Sequence, residues 1–177
     1  RGGPALAMDS RSYTFDGTTP DVHDSASVSQ ESTLVGDVHV GPDATVWPGA
    51  VLRGDVSPVQ LGSGSAIGDN AVLHGSTVGA DNLVGHGAVL NDSHVESGTL
   101  VGFNATVSDA TIGADSLVAM GTVIPSGYEV PPESFVRGTP ARVTPLAETD
   151  IDYDGVFAEF GSGEYAHLVE GHEDLFE

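Results

Sequence analysis

The 177-residue chain contains no cysteine and no lysine. Without cysteine there is no disulfide and no thiolate metal site, so thiol chemistry does not decide the compartment. Without lysine, five arginines stand against 26 acidic residues, for a net charge of −21. That balance offers no basic patch to a phosphate backbone and argues against nucleic-acid binding. Apolar runs are short as well. None approaches the ~18 residues of a membrane-spanning helix. No basic stretch followed by an apolar run opens the chain, so no secretory signal is expected. Residues 1–7 read as a leader ahead of Met8, which looks like a native start.

An acidic excess of this size fits either a disordered interaction segment or a soluble protein of a salt-loaded cytoplasm. In molar salt the Debye length falls to about 3 Å, and self-repulsion is screened. The regular apolar pattern described next argues against disorder. A cytoplasmic protein from a halophile is the expectation.

What the chain does contain is a beat. Aliphatic residues recur at steps of five or six: Ile67, Leu73, Val78, Val84, Leu90, Val95, Val101, Val107, Ile112, Val118 and Ile124. Upstream, Val22, Val28, Leu34, Val40, Val46 and Leu52 lie six apart. Small or turn-forming residues often follow, as in Ile67-Gly68-Asp69 and Val84-Gly85-His86. Neither a helix nor simple alternation gives this spacing. A fixed internal period signals a solenoid. Three short strands and three corners make one triangular coil, and coils stack about 4.8 Å apart. No coil buries its own inner face, so only the stack is stable.

The fold class predicted is all-β: a parallel β-helix followed by a C-terminal α-helical segment. Residues 1–21 form a leader and an extended N-terminal segment, residues 22–145 the β-helix, and residues 146–177 an acidic helical segment. Trp47 and Pro48 sit at a corner. Pro58 interrupts the count and predicts a small excursion over residues 56–60. The β-helix is expected to close near Ile124-Pro125-Ser126-Gly127, and Gly138-Thr139-Pro140-Ala141 reads as a turn. Beyond Pro145 two short helices, divided at Gly161-Ser162-Gly163, are expected to lay an apolar stripe on the prism or on a neighbouring subunit.

Of the seven histidines, His23, His39, His167 and His172 fall at solvated positions. His74 and Asn91 each follow an aliphatic residue, one coil apart, and so stack. Two such side chains reach one ion, since Zn–N bonds are about 2.0–2.1 Å. His86 lies near another corner and meets the same ion only from a threefold neighbour. A metal there implies a trimer with sites between subunits.

Four stretches carry a resemblance: Val51-Leu52-Arg53-Gly54-Asp55, Asp69-Asn70-Ala71-Val72-Leu73-His74, Val84-Gly85-His86-Gly87-Ala88-Val89-Leu90-Asn91, and Gly138-Thr139-Pro140-Ala141-Arg142-Val143. From about Val28 to Leu146 the chain resembles the γ-class carbonic anhydrases, among the hexapeptide-repeat proteins. The resemblance implies a left-handed β-helix and a homotrimer with Zn²⁺ (or Fe²⁺ or Co²⁺) at each interface. It also implies reversible hydration of CO₂ to bicarbonate, and ion pairs of Arg53 and Asp55 that orient the subunits. Metal-bound hydroxide would attack CO₂, and a carboxylate or histidine would carry the proton away.

This chain departs from the pattern. Asn91 stands where the family has a third histidine, Gly68 where it has glutamine, and the segment from His74 to His86 is short. An amide oxygen is a poor zinc ligand beside imidazole. His94 or Asp92 is the candidate substitute. Two rivals follow: a non-catalytic trimeric scaffold or bicarbonate-binding homologue, and a hexapeptide acyltransferase. The scarcity of basic residues counts against the last, because CoA phosphates need basic partners.

Overall fold

In the computed structural model, which describes residues 11–176, the chain winds into a three-sided parallel β-helix. One side is an eight-stranded sheet that begins at Ser27–Val28 and rises through Thr45–Val46, Ala66–Ile67, Leu83–Val84, Leu100–Val101 and Leu117–Val118 to Ser134–Arg137. The other two sides share a twelve-stranded sheet, because Thr33–Val40 and Val51–Leu61 run on from one side to the next. His74, Asn91 and Ser108 lie in register on one of these sides, and Thr77, His94 and Thr111 on the other.

The aliphatic beat forms the core. Leu34, Leu52, Ile67, Leu73, Val84, Leu90, Val107, Ile112 and Ile124 are fully buried. From Ile67 on, each supplies the inward side chain of a two- or three-residue strand, whereas Leu34 and Leu52 lie in the two long strands that bury several. A second ladder lies within the prism. Ser65 Oγ accepts the Asn82 N–H, Asn82 Oδ1 accepts that of Thr99, and Ser116 Oγ accepts that of Ser134. Each polar side chain satisfies a backbone donor one coil on. No buried side-chain polar atom among the described residues is left without a partner.

The corners follow a rule of their own. Along one edge Gly49, Asn70, Gly87, Asn104 and Gly121 succeed one another, coil by coil, all at positive φ. Asparagine tolerates the left-handed conformation and glycine takes it freely. The amide oxygen of Asn70 leans back over Gly49 and that of Asn104 over Gly87. A Cβ at either glycine would meet that oxygen at 2.1 and 2.2 Å.

Three expectations change in detail. The extra residues lie at 55–58 rather than 56–60: Gly36 pairs with Gly54 and Val38 with Val59, whose side chain is fully buried. The β-helix does not close at Ile124–Gly127. Glu129–Val130 stacks on Thr111–Ile112 and Ser134–Arg137 on Leu117–Val118, with one residue more than the usual coil. The stack ends instead in an antiparallel pairing with Arg142–Pro145. Of the N-terminal segment, Arg11–Tyr13 already pairs in parallel with Thr33–Val35. Met8 lies outside the described residues.

The C-terminal segment forms a 3₁₀ turn at Leu146–Glu148 and three helices rather than two: α1 (Tyr153–Phe160), α2 (Ser162–Val169) and α3 (Glu173–Phe176). Asp152 caps α1 by accepting the Gly155 N–H. The apolar side chains of α1 and α2 cover Ala66, Leu83, Leu100 and Leu117, which point outward from the eight-stranded side. Trp47 is the hinge of this packing, edge-on to Tyr165 and Phe176 with ring centroids 5.7 and 5.2 Å away.

Candidate functional site

Parallel register brings Arg53, His74 and Asn91 into one column on successive coils. His74 Nδ1 lies 3.1 Å from the Asn91 amide oxygen, and His74 Nε2 lies 2.9 Å from Asp55 Oδ1. The Asn91 amide nitrogen donates in turn to Asp92 Oδ2 at 3.3 Å, which fixes which way the amide faces. Arg53 donates to the other Asp55 oxygen at 2.7 Å. Asp55 reaches this column because the extra residues at 55–58 carry it across the His74 row. The Arg53 guanidinium beside it holds the Asp55 carboxyl below the usual carboxylate range. Loss of solvent opposes this and the His74 contact reinforces it. Arg53 and Asp55 thus pair with each other inside one chain.

His86 sits round the corner. Its Nδ1 accepts the Asp69 backbone N–H at 3.0 Å, with the Asp69 carboxylate 3.2 Å away. Its ring stacks on Phe103 at 5.0 Å, and Nε2 faces the Tyr165 hydroxyl of α2 at 3.3 Å. Loss of solvent, with Asp69 adding, pushes the Tyr165 hydroxyl pKa up. A Cβ at Gly68 would lie 2.8 Å from both the backbone nitrogen and Nδ1 of His86, so the stacked coil leaves no room for a side chain there.

The structure therefore joins His74 to Asn91 and keeps His86 apart within the chain. His94 is exposed on the next side, between Thr77 and Thr111, away from the His74 column. The Asp92 carboxylate accepts from Asn91 rather than reaching the His74 ring, and only its backbone N–H meets His74, at the carbonyl. Two contacts escape sequence reasoning. Asp55 to His74 depends on the extra residues, and Tyr165 to His86 spans 79 residues with no local signal.

This donor set does not fit a three-imidazole zinc centre. Both ring nitrogens of His74 are engaged by side-chain oxygens of its own chain, those of Asn91 and Asp55. Asn91 offers an amide oxygen, and His86 Nε2 is engaged by Tyr165. No three His, Asp or Glu side chains converge on one point among the described residues. The cluster instead holds Arg53, Asp55, His74 and Asn91 in one hydrogen-bonded chain, with Arg53 half exposed.

No family model matches the chain. It is 42% identical over 89 residues to "Gamma carbonic anhydrase 3, mitochondrial" of Arabidopsis thaliana, a match covering 44% of this chain and 34% of that protein. It is 39% identical over 84 residues to "Carnitine operon protein CaiE" of Escherichia coli O157:H7, covering 45% and 43%. The chain thus spans about a third to under half of the length of these curated relatives. Among solved structures, a hexapeptide transferase family protein from Anaplasma phagocytophilum superposes with a TM-score of 0.85 at 27% identity, covering 92% of this chain and 98% of that one. The chain is a homologue of proteins named gamma carbonic anhydrase and CaiE, built on the hexapeptide-repeat β-helix.

Proposed function

We propose that the protein is a γ-carbonic-anhydrase-like homotrimer in the cytoplasm of a salt-loaded cell, with CO₂ hydration weakened to the point of loss. In this reading the His74 column of one subunit faces His86 of the next. A hydrogen-bonded cluster of Arg53, Asp55, His74 and Asn91 stands where relatives would hold zinc. The observation that carries it is the Asn91 amide oxygen on His74 Nδ1. The exposed Arg53 guanidinium suits a small oxyanion such as bicarbonate, bound without turnover.

The test is to purify the chain in molar KCl, then measure its mass in solution, its metal content and its CO₂ hydration rate. A trimer with little zinc and a rate near the uncatalysed one supports the reading. Stoichiometric zinc with fast hydration would restore a working anhydrase. A monomer would remove the interface site, and acyl-CoA binding without metal would select the transferase.

A further inference from the structure

Residues 146–177 carry ten acidic side chains and no arginine. Helices α1–α3 of this segment lie over a prism that is itself acidic. Among the described residues, no carboxylate of the segment pairs with a cation; every ion pair joins residues of the prism. The two tyrosines that tie the helices down each land beside a further carboxylate. The Tyr153 hydroxyl faces Asp115, and Tyr165 meets His86, whose ring lies 3.2 Å from Asp69. Both hydroxyl pKa values rise, by loss of solvent first and then by those charges. Coulomb repulsion therefore opposes the docking, and opposes it more as salt is withdrawn.

What holds the helices is apolar and thin. Ser162 is the one residue that α1–α3 bury. Beyond Ile151 the described hydrogen bonds to the prism are few. Tyr153 reaches the Gly98 carbonyl and Asp115, Tyr165 reaches His86, and the Gln30 N–H donates to the Leu175 carbonyl at 3.1 Å. The rest is contact with Trp47 and with the outward row Ala66, Leu83, Leu100 and Leu117. The prism is held differently. Each coil hydrogen-bonds to the next, and its beat residues from Leu34 to Ile124 are at most 3% exposed. Elements with few buried apolar groups open at lower cost than the core they cover.

We propose that α1–α3 form a salt-operated latch: high salt screens the like charges and holds Tyr165 on His86, and falling salt releases the helices while the prism stays folded. His86 is the residue the latch governs. Its Nδ1 accepts the Asp69 N–H, so the hydrogen of the neutral ring lies on Nε2, directed at the Tyr165 oxygen. Release leaves that nitrogen without its partner. The latch stands without the trimer; only the use of a freed His86 rests on the interface site proposed above.

The test follows three signals in one KCl titration from molar salt downward: Trp47 emission, far-UV circular dichroism and mass in solution. Trp47 is the chain's one tryptophan and is buried under the helices, so release shifts its emission to the red. That shift comes at higher KCl than loss of the β signal, with subunit number unchanged. Glu170→Gln with Glu173→Gln moves the Trp47 midpoint to lower KCl. One lies at the C-terminal end of α2 and the other in the first turn of α3, so their helix-dipole effects offset. Asp109→Asn with Glu129→Gln removes as much charge from the twelve-stranded sides, away from the helices, and moves the midpoint less. Tyr165→Phe, which removes a tie and no charge, moves it to higher KCl. Coincident midpoints for Trp47 and the β signal overturn the proposal, and so does an equal shift from the two double variants. A change in subunit number at the Trp47 midpoint also overturns it, and assigns the transition to dissociation of the oligomer.

Discussion

Asn91 stands one coil from His74, in register, with its amide oxygen 3.1 Å from the ring Nδ1. That contact takes up a ring nitrogen and supplies no imidazole in exchange. Replacing Asn91 by His adds the missing nitrogen donor, and Asp55→Asn removes the carboxylate from Nε2. The double variant should bind zinc roughly 10–100-fold more tightly than the parent, the range over which ligand environments tune affinity. Competition with a chelator in KCl measures it. An unchanged affinity would show that the subunits do not bring His86 to this column.

Acid should loosen the same cluster. The Asp55 pKa is lowered in the folded chain, first by Arg53. Its stabilising contribution therefore stands above the ordinary carboxylate value of about 3.9 and fades as pH falls through the lower folded value. Asp55→Asn should flatten the acid limb of the stability curve below about pH 4. Melting curves in molar KCl from pH 5 downward would show it.

Alkali should act at the other end. The Tyr153 hydroxyl donates to the Gly98 carbonyl and faces Asp115. Loss of solvent first, then the Asp115 charge, raises its pKa to about 12. The contribution is complete below the usual value near 10 and is lost as pH rises through the folded value. The helical cover should loosen between pH ~10 and ~12, reported by the fluorescence of the single tryptophan, Trp47. Tyr153→Phe should remove that alkaline step.

Gly87→Ala places a Cβ 2.2 Å from the Asn104 oxygen at a φ of +69°. Strain of this kind costs of order 1–3 kcal/mol. A lower melting temperature at fixed KCl measures it. Truncating the overlying side chain as well, in Gly87→Ala with Asn104→Gly, should recover part of the loss.

Salt dependence follows from the charge. With −21 on 177 residues, dialysis from molar KCl into dilute buffer should unfold the chain as screening is withdrawn. Circular dichroism at stepped KCl would give the midpoint. Full stability in dilute buffer would remove the expectation of a salt-loaded source.

The prism was legible because its signal is one residue deep. Each beat residue, from Leu34 to Ile124, is an inward side chain at most 3% exposed, so five- and six-residue steps report the coil directly. The His74–Asn91 stack was legible for the same reason, being pure register. The end of the helix was not, because Pro131-Pro132 and one extra residue break the count while the stacking continues. The surroundings of His86 were hidden by distance along the chain. Tyr165 arrives from a helix whose place depends on Trp47 and on outward leucines, and periodicity says nothing of outward positions.

The alternation of glycine with asparagine along one edge has a bearing on ancestry. Excising or duplicating a single turn of the column would set asparagine against asparagine, or leave two glycines with nothing leaning over them. Two turns together would preserve the pattern. Column length at this edge is therefore free to change in even steps, and natural relatives of different height should differ by pairs of turns.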